Sequence, residues 1–303
     1  MKVAALAGGT GSAKLLRGLK AIGAELTVVA NVGDNAWIYG VYVCPDVDIA
    51  CYTLAGIADR TKGWGIRGDT FHMLDLLGRA GTDTWFRLGD RDLATCLART
   101  QLLREGLTLT GATEAIAEKL GTGSAVLPAC DEPVQTVIRT PEGELNLQEF
   151  WVREKGRPRA LGVEYRGSGK ARPTARVKEA IGEADVVVVC PANPVTSVGP
   201  SLAIPGFIRL LKSARRVVAL SPMVGNSPYS GPAGKLMEAV EVHPSSLGVA
   251  KMYSGFADAI VISDKDARMA REIREMGLGC VATGTMMEGG AGEARVAREV
   301  LSA

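Results

Sequence analysis

Residues 2–31 read KVAALAGGTGSAKLLRGLKAIGAELTVVAN, and this stretch decides the fold class. The first six residues are a short apolar run that stops at Gly8-Gly9-Thr10-Gly11-Ser12. From Ala13 to Ile22 the residues Leu15, Leu16, Leu19 and Ile22 recur at helical spacing, on one side of a helix. Residues 26–31 (LTVVAN) are β-branched and apolar, the mark of a strand buried in a parallel sheet. Strand, glycine turn, helix and strand form a βαβ unit, and such units gather ligands at the carboxyl ends of their strands.

The rhythm returns in the C-terminal part. Residues 185–190 (DVVVVC), 216–221 (RVVALS), 258–263 (DAIVIS) and 278–283 (LGCVAT) read as buried strands, with helical stretches between them, the clearest at 265–276. This alternation predicts an α/β protein built on a doubly wound, mostly parallel sheet. The middle differs. Residues 68–80, 90–105 and 111–120 read as helices, and 134–151 as a hairpin about Pro141-Glu142-Gly143. Residues 153–178 carry nine Lys or Arg, read as a solvated surface or as help for a phosphorylated substrate. The chain is therefore read as one domain, 1–303, with a core from 1–60 and 180–303 and an α+β lobe inserted at 61–179.

A chain of 303 residues with 47% hydrophobic and 22% charged residues is globular rather than disordered. Its net charge of +2 suggests neither a nucleic-acid nor a membrane partner. No apolar stretch approaches the ~18 residues of a membrane helix. Cys44, Cys51, Cys96, Cys130, Cys190 and Cys280 include no CxxC pair, so they read as scattered thiols in a reducing, cytoplasmic compartment.

Four segments could carry chemistry. The turn containing Gly9, Thr10, Gly11 and Ser12 can bring backbone N–H groups to an anion at a helix N-terminus, although such a turn also serves packing alone. It is neither GxGxxG nor GxxxxGK, and the acidic ribose reader of NAD sites is missing after the second strand. Asp46 and Asp48 lie at i and i+2. On an extended segment both would address one cation such as Mg²⁺, while the competing role is to cap a helix at 49–57. The third segment, Cys190–Pro200, is a proline-stiffened loop offering Asn193, Thr196, Ser197 and Gly199 to a ligand or serving as a plain connection. The fourth, Ser221–Lys235, includes Ser230 and Gly231. It places Lys235 near a helix start, where the helix dipole disfavours a cation unless an anion is bound, or unless the lysine is simply exposed. Trp64, between Gly63 and Gly65, could stack on a planar ligand or cover a core edge. His72 and His243 read as structural, and the absence of GxSxG leaves a hydrolase triad without a foothold.

Together the segments GGTGSAKLLRGL (8–19), PDVDIACYTLAG (45–56), GWGIRGDTF (63–71), LGDRDLATCLART (88–100), NPVTSVGP (193–200) and SGPAGKLM (230–237) resemble the 2-phospho-L-lactate transferase (CofD) family. The resemblance implies a Rossmann-like fold with an inserted lobe and a Mg²⁺-dependent transferase of coenzyme F(420) biosynthesis. It implies a donor, lactyl-2-diphospho-5'-guanosine or a relative bearing enolpyruvate or glycerate. It implies an acceptor, 7,8-didemethyl-8-hydroxy-5-deazariboflavin, whose ribityl hydroxyl attacks the phosphorus bearing the acid as GMP leaves. On this pattern Asp46 and Asp48 hold the metal, Lys14 and Lys235 help offset diphosphate charge, and Trp64 faces the deazaflavin. The segment NVGDN (31–35) departs from the acidic stretch of some archaeal members, so the resemblance bears less on Asp34. A homodimer is compatible with this reading. The alternative is a non-catalytic nucleotide- or sugar-nucleotide-binding regulator sharing the glycine loop.

Overall fold

The computed structural model describes residues 1–303 except Asn226, Tyr229 and Ser230. In chain order its organising elements are β1 (Lys2–Ala7), α1 (Gly9–Ala21), β2 (Glu25–Ala30), α2 (Pro45–Leu54), α3 (His72–Arg79) and α4 (Asp90–Arg104). There follow β3 (Ala125–Pro128), β4 (Val186–Val189), β5 (Val217–Leu220), α5 (Ala233–Ala239), β6 (Ala259–Ser263), β7 (Gly279–Thr283) and α6 (Gly289–Ser302). The seven strands form one sheet in the order β7-β6-β5-β4-β1-β2-β3, and every pairing is parallel. Val3 pairs with Leu26 on one side and Val186 on the other, so β1 is central. All four valines of β4 are buried, each worth roughly 1.5–3 kcal/mol in transfer free energy, which is why this run needs no alternation.

The strand order reverses between β1 and β4. In a doubly wound sheet that reversal opens a crevice beyond the strands' carboxyl ends. The segments that follow are Gly8–Gly11 after β1 and Pro191–Ser197 after β4, two of those singled out in the sequence.

Several elements depart from the sequence reading. Residues 125–128, placed in the lobe, pair with β2 and form an edge of the main sheet. The hairpin is Gln135–Thr140 with Gly143–Asn146, and Gly162–Arg166 from the basic stretch adds a third antiparallel strand to it. That stretch is thus anchored rather than merely solvated: the Tyr165 hydroxyl donates to the Val195 carbonyl at 2.6 Å. α2 starts at Pro45 rather than near 49, because proline suits the first helical position, where no N–H is needed. No helix among the described residues is long and apolar enough to cross a membrane.

Candidate active site

A cavity of about 520 Å³ lies at the topological reversal. Its floor is the glycine turn, Gly8–Gly11, and the facing loop with Pro191, Asn193, Thr196 and Ser197. The glycines are needed for this closeness. A Cβ on Gly8 would meet the Ser197 Cβ at 2.6 Å and Asp46 Oδ2 at 2.8 Å, and one on Gly11 would strike the Pro191 carbonyl. One wall comes from α2 with Asp46, Asp48, Ile49 and Tyr52, and another from Trp64, Phe86, Arg87 and Asp92. The segment after the small antiparallel hairpin contributes Leu147, Gln148, Trp151 and Val152.

Asp46 lies in the first turn of α2 yet serves α1. Its Oδ1 accepts the Gly9 N–H at 2.6 Å, and its Oδ2 accepts from Asn31 Nδ2 at 2.8 Å. A carboxylate therefore holds a position at the α1 N-terminus that the sequence reading assigned to a phosphate. Asn31 also donates to the Thr196 carbonyl at 3.1 Å, tying together the segments that follow β2 and β4. Asp34, beyond β2, comes within hydrogen-bonding reach of Asp46. Burial, then the Asp46 charge, holds the Asp34 carboxyl well above the usual carboxylate range. Burial raises Asp46 too, against the bonds from Asn31 and Gly9.

Asp48 turns elsewhere. Two positions along a helix are about 200° apart, so i and i+2 diverge, unlike in the extended segment expected from sequence. Asp48 forms a buried, two-armed ion pair with Arg99 of α4: Nη1 donates to Oδ2 at 3.0 Å and Nη2 to Oδ1. Neither aspartate makes a side-chain cap for α2 itself.

Of the remaining sequence candidates, Gly9, Thr10, Gly11, Trp64, Asn193, Thr196, Ser197 and Gly231 line the cavity. Four do not. Ser12 closes the turn on itself, its hydroxyl accepting from the Gly8 N–H and donating to the Gly8 carbonyl. Lys14 is exposed on α1, outside the cavity wall. Gly199 is a packing glycine, because a Cβ there would collide with the Tyr165 hydroxyl. Lys235 donates to the carbonyls of Gly156, Arg157 and Pro158, and its ammonium lies 5.8 Å from the Phe150 ring centre. Those acceptors, rather than a phosphate, offset a cation at the α5 N-terminus. Ser230 lies outside the described residues. His72 and His243 are both exposed and do not line the cavity.

Residues 3–283 match the family described as 2-phospho-L-lactate transferase CofD. The chain belongs to the CofD family. Among its relatives, the 2-phospho-L-lactate transferase of Methanosarcina acetivorans is 43% identical over 280 residues, covering 92% of this chain and 90% of that one. The protein of the same name from Methanopyrus kandleri is 41% identical over 305 residues, covering 99% and 97%. The phosphoenolpyruvate transferase of Streptomyces coelicolor is 40% identical over 311 residues, covering 100% and 98%. The fold is shared with protein BH3568 of Bacillus halodurans, with a TM-score of 0.64 at 19% identity over 99% of both chains.

Two blocks that carry the CofD likeness are explained by packing. In GDRD, Asp90 accepts from the His72 and Met73 N–H groups, each at 3.0 Å, and so caps α3. Asp69 accepts from the Arg91 and Asp92 N–H groups at 2.8 and 3.0 Å and caps α4 in return. A Cβ on Gly89 would strike the Asp69 carboxylate, so this exchange requires glycine. In NPVTSVGP, Asn193 Oδ1 accepts from the Val195 and Thr196 N–H groups and shapes the loop.

Sequence reasoning missed Asp92, Arg99, Arg87 and Trp151. Asp92 was visible as the last acid of GDRD, in the first turn of a helix. Arg99 had no local signal, because its partner lies 51 residues away. Arg87, its guanidinium 4.2 Å from the Phe71 ring centre, is the one basic side chain among the described residues lining the cavity.

Proposed function

We propose that this protein transfers a 2-phospho-L-lactate or related phospho-acid group from a guanosine diphosphate carrier to the ribityl hydroxyl of 7,8-didemethyl-8-hydroxy-5-deazariboflavin, releasing GMP. The observation that carries this reading is the charge of the cavity. Asp34, Asp46, Asp48 and Asp92 line it, against one guanidinium among the described residues, that of Arg87. As the unpaired acids of this wall ionise they repel a diphosphate, unless a cation accompanies it. The relatives' names divide between phospholactate and phosphoenolpyruvate, so both carriers are candidate donors.

The residues fit Mg²⁺ at Asp34 and Asp46. Both are buried oxygen donors within reach of each other, and no ion pair to either occurs among the described residues. A hard dication with a few waters and phosphate oxygens suits that donor set. Asp48, already neutralised by Arg99, is left out of it. Bound there, Mg²⁺ would neutralise diphosphate charge, the main requirement of phosphoryl-type transfer. The chain's own groups supply the rest. Arg87 adds positive charge beside the aromatic wall. Trp64, 39% exposed and 6.4 Å from the Phe71 ring, offers a face to a flat acceptor. Leu147, Trp151 and Val152 shield the reacting groups from water.

The test is to mix protein, Mg²⁺, the deazaflavin alcohol and the lactyl or enolpyruvyl guanosine carrier, then chromatograph. GMP should appear with a more acidic deazaflavin, EDTA should stop turnover and Mg²⁺ should restore it. Tight nucleotide binding without turnover would favour the regulator reading. Full activity in metal-free buffer would remove the metal.

A further inference from the structure

Asp92, the last acid of GDRD, has a side chain that neither the exchange of caps between Asp69 and Asp90 nor the acidic pair explains. It lies in the first turn of α4, half-buried, with its side chain on the cavity wall. Its backbone N–H is already engaged by Asp69, so the side chain is not needed to cap its own helix. Oδ1 accepts the Tyr52 hydroxyl at 2.7 Å. Oδ2 faces the turn that carries Trp64, 3.9 Å from where a Cβ on Gly65 would stand. The same turn reaches the glycine loop, since a Cβ on Gly63 would sit 3.5 Å from Thr10 Cγ2. One carboxylate oxygen is thus fixed by Tyr52, and the other lies beside the turn that carries Trp64, on the cavity wall.

Among the described residues, the charges around it leave it without an ion-pair partner. From α2 it faces Asp48 and Tyr52, from its own helix Arg99 and Cys96, and from the preceding turn Asp69. Arg99 is the one cation among them, and both its Nη groups donate to Asp48. Burial, followed by the charge of Asp48, pushes the Asp92 carboxyl up to about 7. A general base works best when it titrates near the operating pH and lies within reach of the proton it removes.

We propose that Asp92 is the general base of the transfer, taking the proton of the acceptor's hydroxyl through Oδ2 while Tyr52 holds Oδ1. This rests on the transfer reading above. The hydroxyl oxygen forms a bond to the phosphorus that bears the acid. The bond from that phosphorus to the GMP oxygen breaks, and its electron pair leaves with GMP. The proton ends on Asp92 and passes to solvent as the product departs. An aspartate plays this part for substrate hydroxyls in protein kinases, where the transition state is also loose.

The test follows GMP release by the wild type, Asp92→Asn and Tyr52→Phe across pH 5.5 to 9 under saturating Mg²⁺ and carrier. The wild-type kcat should rise with pH through an acidic limb and then level. Asp92→Asn should lower kcat by about 100-fold or more, remove that limb and leave the acceptor KM nearly unchanged. Tyr52→Phe removes a donor to the ionised carboxylate, so the limb should move to higher pH. A purely structural aspartate would move neither limb. An active wild type whose limb and rate survive in Asp92→Asn overturns the proposal and leaves the transfer reading standing. So does an unmoved limb in Tyr52→Phe, which decides the matter if Asp92→Asn does not fold. A wild type that releases no GMP from any carrier overturns both.

Discussion

Arg99 is fully buried, and its guanidinium spends both Nη groups on Asp48. A buried charge without its partner is costly, about 3–5 kcal/mol when one member of such a pair is removed. Asp48→Asn would therefore act first on folding, by leaving a guanidinium in the protein interior with a neutral amide. We predict a large drop in melting temperature for Asp48→Asn and for Arg99→Met alone. The double variant should recover much of the loss, because removing both charges removes the desolvation cost as well. Thermal melts of the four proteins form the cycle. If Asp48→Asn melts like the wild type but responds less to Mg²⁺, Asp48 is a ligand after all.

Between elements the same economy governs Lys235. It stands in the first turn of α5, where the helix dipole opposes a cation, and three carbonyl oxygens of residues 156–158 offset that opposition. Gly156 has φ +62°, and a Cβ there would sit 2.8 Å from the Trp151 ring, so the latched turn also seats Trp151 in the cavity wall. α5 thereby holds residues 151–158 at the cavity wall. Lys235→Met should leave kcat nearly intact, raise the KM of the acceptor and lower the melting temperature only slightly. Limited trypsin treatment gives an independent readout, since Arg153, Lys155, Arg157 and Arg159 flank the latch. The variant should be cut there faster than the wild type, and equal cutting would show that the turn holds without the lysine.

At the scale of the molecule, the sequence was legible where information is local. Runs such as DVVVVC, and a glycine turn between a strand and a helix, reveal a parallel sheet without outside help. β3 escaped because AVLP is only four residues long and ends in proline; its place depends on pairing Thr27–Ala30 with Ala125–Pro128, almost 100 residues on. Asp46 and Asp48 were legible as acids at a site, while their division of labour was not. That division depends on where α2 begins and on an arginine in another helix. Asp34 gains its meaning only from the approach of Asp46.

The fold gathers these acids away from water, and this gives the whole protein a pH signature. Burial raises Asp34 and Asp46, and Asp92 is held at about 7 against an ordinary carboxyl near 3.9. A carboxyl raised on folding contributes stability below its unfolded value and loses that contribution as pH climbs through its folded value. The metal-free protein should therefore melt at progressively lower temperature as pH rises above about 4, with Asp92 contributing to that fall up to about pH 7. Asp92→Asn, which cannot ionise, should flatten the upper part of that fall. Mg²⁺ should restore part of the loss at pH 8 by binding the ionised Asp34–Asp46 pair, and should do little at pH 5. Melting curves with EDTA or Mg²⁺ across this range measure all three effects. A metal-free melting temperature that climbs steadily toward pH 8 would mean that these carboxyls are ionised without penalty. The cavity would then already hold the positive charge that, on this reading, it must obtain from a cation.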